Sequence, residues 1–272
     1  MKFTFLSAML ALVSTLTFAQ QKPDTLFYEQ FNAPALDRSK WNVEVTGRTV
    51  NNEQQAYVDS NGVLGQVDGS LVIQPRFHAG YTSNMNKQYD FLSGRINTKT
   101  KFEFTYGTLS ARIKMPAGAG LWPAFWALGE GKWPDCGEID VMENIGDANW
   151  VSHALHGPGY FGNTPLVHRS FFPKRIDITQ WHVYTVKWSA DALIFSIDGV
   201  TTYTVTKAMV QHYGRWAYDY PKFIIINFAL GGGYPQGVNK VISPYPGLPQ
   251  STVDMIKAGN AKYLVDWVLV TK

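Results

Sequence analysis

The chain has 272 residues, with 24 Lys or Arg against 21 Asp or Glu and a net charge of +3. So even a balance, with no basic cluster, gives no ground for a nucleic-acid or membrane partner, and a single cysteine, Cys136, rules out an internal disulfide. The outlier is aromatic content, 14% of residues with nine Trp and fourteen Tyr.

In chain order, residues 1–19 read as a secretory signal peptide. Lys2 supplies a positive start, residues 3–18 are mostly apolar, and Thr17-Phe18-Ala19 resembles a cleavage site near Ala19. The run is too short and too interrupted by Ser and Thr for a membrane span, which takes about 20 apolar residues. The expected location is therefore secreted or periplasmic. Residues 20–272 are expected to form one domain, a length that an all-β sandwich can fill alone.

In KFEFTYGTLSARIKMP, Phe102, Phe104 and Tyr106 alternate with polar residues, and after Gly107 so do Leu109, Ala111, Ile113 and Met115. That predicts two half-buried antiparallel strands around a turn. Tyr184, Val186 and Trp188 alternate next, and Ser189-Ala190-Asp191 turns the chain into Leu193, Phe195 and Ile197. Asp198-Gly199 is a hairpin signal. FIIINFAL (223–230) is a continuous apolar run, as in a central strand covered on both faces, and KYLVDWVLV (262–270) is the expected last strand. Helix signals are weak, with one or two turns over 207–213; the Gly- and Pro-rich segments 116–120, 157–165 and 231–249 read as loops. Many short strands with frequent turns and no internal repeat predict an all-β antiparallel sandwich or jelly roll.

The segment that carries chemistry is GEIDVMENIG (137–146), with Glu138, Asp140 and Glu143. Strand side chains alternate faces, so Glu138 and Asp140 share a face while Glu143, at an odd offset, points away. One extra residue near Val141-Met142, a β-bulge, restores the parity and lines three acids along one face. Two carboxyls about 5–5.5 Å apart suit retaining cleavage of a glycosidic bond. A solvated acidic face and a Ca²⁺ site are the alternatives. Just upstream, GLWPAFWALGEGKWPDC supplies Trp122, Trp126 and Trp133, flat surfaces suited to sugar rings. Cys136, two residues before Glu138, reads either as a thiol nucleophile or as a small buried hydrophobe.

With those residues in hand, the chain resembles family 16 glycoside hydrolases, and within them the bacterial laminarinases (endo-β-1,3-glucanases). The resemblance runs through NNEQQAY (51–57), SGRINTK (93–99), GLWPAFWALG (120–129), WPDCGEIDVMENIG (133–146), ALHGPGY (154–160), FIIINFALGG (223–232) and LVDWVLV (264–270). The bulged E-x-D-x-x-E spacing marks the laminarinase branch; lichenases resemble E-x-D-x-E. The resemblance implies a concanavalin-like β-jelly-roll sandwich of two antiparallel sheets with a concave substrate cleft and a retaining double displacement. Glu138 is implied as nucleophile, Glu143 as acid/base, and Asp140 as the residue between them that tunes the shared proton. Trp122, Trp126 and Trp133 match aromatic positions of the cleft, and Asn52, Arg95 and His156 match polar ones. Duller roles stand beside these: an ion pair for Arg95, turn shaping for His156, core packing for Trp122, wall support for Glu53. No cofactor is expected for catalysis, but the family often carries a structural Ca²⁺, matched here by Glu29, the Gly69 carbonyl and Asp266.

The reading that follows is a secreted, monomeric, endo-acting hydrolase of β-1,3-glucan, with neither nucleic acid nor membrane as partner. Its alternatives are a hydrolase of mixed-linkage glucan or of a galactan such as agar or carrageenan, and a lectin-like binding module. Lys187, Leu269 and the loop GGGYPQGVNK depart from the family pattern. None of these touches the three acids, but cleft-rim loops set specificity.

Overall fold

The computed structural model describes residues 24–48 and 50–272. The signal peptide expected at 1–19 lies outside the described residues. Two large antiparallel sheets pack face to face. The front sheet runs, in spatial order, Val167–Phe171, Trp150–His156, Glu138–Glu143, Leu121–Gly129, Lys222–Leu230, Arg95–Asn97, Asn42–Val43. The back sheet runs Val200–Thr206, Ala192–Ile197, His182–Trp188, Gly107–Lys114, Tyr263–Thr271, Ser70–Ile73, Leu64–Val67, and Thr25–Glu29 also pairs with Tyr263–Thr271. A small third sheet at one end includes a parallel pair, Gln55–Tyr57 with Gln88–Ser93.

The alternation anticipated in the back-sheet strands is what the burial follows. Leu109, Ala111 and Ile113 are buried while Ser110, Arg112 and Lys114 are not, and Leu193, Phe195 and Ile197 behave likewise. Asp198 and Gly199 both take positive φ, 52° and 79°, as a tight primed turn requires. In the front sheet, Phe125, Ile139, Leu155, Ile224 and Phe228 point inward to meet Leu109, Ile113, Tyr184, Phe195 and Val268 in one core. Lys222–Leu230 is buried along its whole length, the central strand foreseen from FIIINFAL.

Two expectations are corrected. Residues 102–106 do not form a strand; they make a single bridge, Phe104 to Lys222, and the back-sheet strand begins only at Gly107. Thr100 and Tyr106 both sit at φ of 62°, which breaks extended geometry on either side. Phe102 stacks instead on Phe27 and Phe104, so the alternation reflects an aromatic cluster. The second correction concerns 231–249, expected as a loop, where Gly233–Asn239 forms a short helix, and a further helix without a sequence signal, Gln250–Lys257, follows it. Pro235 falls in the first turn of one, where a missing N–H costs nothing. The other buries Thr252, Val253 and Ile256 on one face.

Candidate active site

The acidic strand starts at a constrained point. Gly137 has φ of 69°, and a Cβ there would lie 2.3 Å from the Ala217 carbonyl oxygen, so only glycine fits. Beyond it Glu138 pairs with Leu128, Ile139 with Ala127 and Asp140 with Trp126, but Met142 pairs with Phe125 and Glu143 with Ala124. Val141 is the extra residue. Both Val141 and Met142 go into the core, two consecutive inward residues, which returns Glu143 to the face of Glu138 and Asp140. On the other side Glu138 pairs with His156, Asp140 with Ala154 and Glu143 with Ser152. The bulge inferred from parity is therefore present where it was expected.

The three carboxyls lie deep enough to resist ionisation. Burial pushes Glu138 up to about 8, with the charge of Asp140 adding to it. Burial also raises Asp140, reinforced by Glu143, and it raises Glu143 itself. The cluster thus keeps protons to near-neutral pH. Opposing groups act at the two ends. Trp133 Nε1 donates to Glu138 Oε2 at 2.8 Å, and Trp122 Nε1 donates to Glu143 Oε1 at 3.0 Å. His156 Nε2 lies 3.4 Å from Asp140 Oδ2 and 3.9 Å from Glu138 Oε1. Glu138, Asp140 and His156 each offer an atom within 4.8 Å of the others, the only such three-ligand group among the described residues.

Around the acids the aromatic residues differ in exposure. Trp133 is 43% exposed and meets Phe161 edge-on at 5.5 Å. Trp122 is buried at 9% against Ile145, Trp150 and Ala229, with Tyr234 edge-on at 5.4 Å. It is a wall and a hydrogen-bond donor more than an open platform. Trp126 Nε1 donates to Asn227 Oδ1 at 2.7 Å, and Asn227 Nδ2 donates to the Tyr57 hydroxyl at 3.1 Å. Arg95 holds its guanidinium 5.1 Å from the Trp126 ring and forms an ion pair with Glu44 at 2.9 Å, so the anticipated ion pair and a place beside the cleft tryptophan both hold. Behind it Glu53 accepts from Gln55 and Tyr57, a support role.

Asn52 lies beside Glu53 along the chain. It is exposed, at φ of 56°, in a polar pocket with Glu53, Asp90 and Tyr245. Cys136 is buried, and burial pushes its thiol up, which leaves it the small hydrophobe. Among the proposed calcium ligands, Glu29 keeps one buried oxygen, Oε2, that no hydrogen bond reaches, with Lys40 Nζ 3.4 Å away. Gly69 lies against Asn32, a neighbour of Glu29 along the chain, whereas Asp266 is committed to Arg112 at 2.5 Å. The set therefore fits a cation in part, through Glu29. Sequence reasoning missed Asn227, Tyr57, Tyr234, Phe161 and Lys222. Lys222 is fully buried and donates to the Cys136 and Ala217 carbonyls, bracing the segment before Glu138. Asn227 carried a signal, the one polar residue inside an apolar run.

Among relatives, the chain is 33% identical over 260 residues to glucan endo-1,3-beta-glucosidase A1 of Niallia circulans, covering 85% of this chain and 37% of that protein. It is 26% identical over 240 residues to keratan-sulfate endo-1,4-beta-galactosidase of Sphingobacterium multivorum, covering 86% of this chain and 55% of that one. The chain thus spans well under two thirds of the length of these two relatives. The endo-beta-1,3-glucanase of Pyrococcus furiosus superposes with a TM-score of 0.79 at 31% identity, covering 90% of this chain and 93% of that structure. The model of glycosyl hydrolases family 16 matches residues 44–241, a span that holds every acid, tryptophan and histidine of the cleft described above. With its jelly-roll sandwich of two antiparallel sheets and its bulged acidic strand, the chain belongs to glycosyl hydrolases family 16.

Proposed function

We propose that the protein is an endo-acting, retaining hydrolase of β-1,3-glucan of the laminarin type. The observation that carries this reading is the bulge at Val141, which leaves Glu138, Asp140 and Glu143 on one face. In this reading Glu138 attacks the anomeric carbon while Glu143 gives its proton to the departing glycosidic oxygen, so the C–O bond breaks as the glycosyl–enzyme ester forms. Asp140 keeps a proton and shares it with Glu138, and the Trp133 N–H and His156 favour the charge on Glu138. In the second half Glu143 takes a proton from water, whose oxygen displaces Glu138 and restores the original anomer. Trp126 and Trp133 offer ring faces to the sugars, and Arg95 and His156 supply polar contacts. Burial raises Glu143, which helps it keep the proton that the leaving group needs, whereas Glu138, also raised, must release its proton before it attacks.

Reducing-sugar release across laminarin, lichenan, agarose and carrageenan tests the substrate, and silence on laminarin overturns it. Proton NMR of the first product anomer tests retention. A digest that yields mixed oligosaccharides from the start supports endo action. A galactan is the second reading, supported by the similarity to the keratan-sulfate galactosidase, and keratan sulfate belongs in the same panel. A lectin-like module would have no need of both outer acids.

Secretion rests on the apolar leader and is tested by the N-terminus of the exported chain, expected near Gln20. No helix among the described residues is long and apolar enough to cross a membrane. The protein is expected to run as a monomer in sizing chromatography. A structural Ca²⁺ would be held by Glu29, the Gly69 carbonyl and Asp266, with Asp266 released from Arg112. A fall in Tm on chelation supports this, and an unchanged Tm overturns it.

A further inference from the structure

The extra residue of the acidic strand is held from behind. His153 is fully buried, and its Nδ1 lies 2.7 Å from the Val141 carbonyl oxygen. A carbonyl only accepts, so Nδ1 carries the proton. Nε2 is then the acceptor, and the Thr202 hydroxyl donates to it at 2.9 Å. Thr202 is itself the extra residue of a second bulge: Thr201 pairs with Ser196 and Tyr203 with Phe195, and residue 202 is skipped. One imidazole therefore joins the bulge of the front sheet to a bulge of the back sheet across the core. Phe195 stacks on the ring at 5.0 Å and fixes its plane. Burial lowers His153 to about 4, so the ring stays neutral and keeps this donor and acceptor order at working pH.

A bulge breaks the regular ladder, and a slip of one residue turns every later side chain to the other face. Val141 stands two residues before Glu143, so the direction of its carbonyl and the direction of Glu143 are set together. We propose that His153, seated by Thr202, is a positioning residue: it pins the bulge at Val141 and thereby aims Glu143 at the leaving-group oxygen. This rests on the acid/base reading of Glu143 given above.

The test separates aim from mere packing by changing the leaving group. An oligosaccharide of β-1,3-glucan needs its leaving oxygen protonated; the same sugar bearing 2,4-dinitrophenolate does not. His153→Asn keeps an N–H near the place of Nδ1, whereas His153→Gln keeps a polar group near Nε2 and withdraws from Val141. For His153→Gln we expect kcat/KM to fall about 100-fold on the oligosaccharide and less than about 3-fold on the aryl glycoside. His153→Asn should stay within about 5-fold of the parent on both. Should His153→Gln fail to fold, Thr202→Val removes only the hydroxyl, and a selective loss of about 10-fold is expected. Equal losses on the two substrates, no loss on either, or an Asn variant as impaired as the Gln variant overturns the proposal. Glu143→Gln on the same substrate pair tests the underlying reading separately: if it lacks the leaving-group dependence, the acid/base assignment has failed and not only the clamp.

Discussion

Leu121–Gly129 has a different neighbour on each side, and the two differ instructively. Toward Lys222–Leu230 it pairs without interruption from Leu121 with Leu230 to Gly129 with Lys222. Toward Glu138–Glu143 the register breaks once, at Val141. The regular side is apolar on both faces and makes a stiff plane, with Asn227 its one polar residue on the cleft side. The irregular side trades one ladder step for a third carboxyl. A straight strand with the same acids would send Glu143 into the core, where an unpaired charge is too costly to keep. Regularity therefore supports the site, and a single irregularity makes it.

Inserting one alanine between Met142 and Glu143 attacks that register directly and has the largest expected effect. With the bulge at Val141 kept, the added residue turns Glu143 inward, and activity on the glucan falls by about 10⁴-fold or below detection while circular dichroism still reports a sheet. Activity retained in the insertion variant means that the placement of Glu143 does not depend on a single extra residue. Glu138→Gln leaves the register intact and removes one oxygen. Its kcat is expected to fall about 10⁴-fold with binding of the oligosaccharide kept, as calorimetry would read; turnover at the parental rate means that Glu138 is not the nucleophile. On the regular side, Asn227→Ala deprives the Trp126 N–H of its acceptor and the Tyr57 hydroxyl of its donor. A buried group left unpaired costs about 1–3 kcal/mol, so KM should rise about 10-fold with kcat changed less. A change in kcat alone would place Asn227 in the chemistry instead.

The same contrast explains what was legible beforehand. Alternation and the Asp198-Gly199 turn identify the sandwich, because both follow from period-2 burial and local dihedrals. The bulge is legible because three acids in six residues make no sense on a straight strand. Parity correctly turns His153 away from His156 and out of the cleft. What parity does not say is that the inward side is where the bulge is held, through a partnership with Thr202 on a distant strand. Tyr234 sits in a Gly-rich segment with no periodicity, so neither its short helix nor its place against Trp122 had a signal. At 102–106 alternation misled because aromatic stacking on Phe27 imitates the pattern of a half-buried strand.

The last expected effect concerns stability and pH rather than rate, and it again divides the two sides. In the folded chain burial holds Glu138 up to about 8, against 4.5 when exposed. Below pH 4.5 both states carry the proton, and the group does not oppose folding. Between 4.5 and 8 the unfolded chain has released a proton that the folded chain retains, so stability falls as pH rises, and the full loss is reached above 8. An amide at this position cannot titrate, so Glu138→Gln should be more stable than the parent by a Tm margin that widens steadily between about pH 5 and pH 8. Asn227→Leu, on the regular strand, changes no titrating group and should shift Tm by the same amount at both pH values. If the Glu138→Gln margin is also constant, the acid cluster does not retain its protons on folding. The bulge would then cost the fold nothing electrostatically, and the contrast between the two strands would be one of geometry alone.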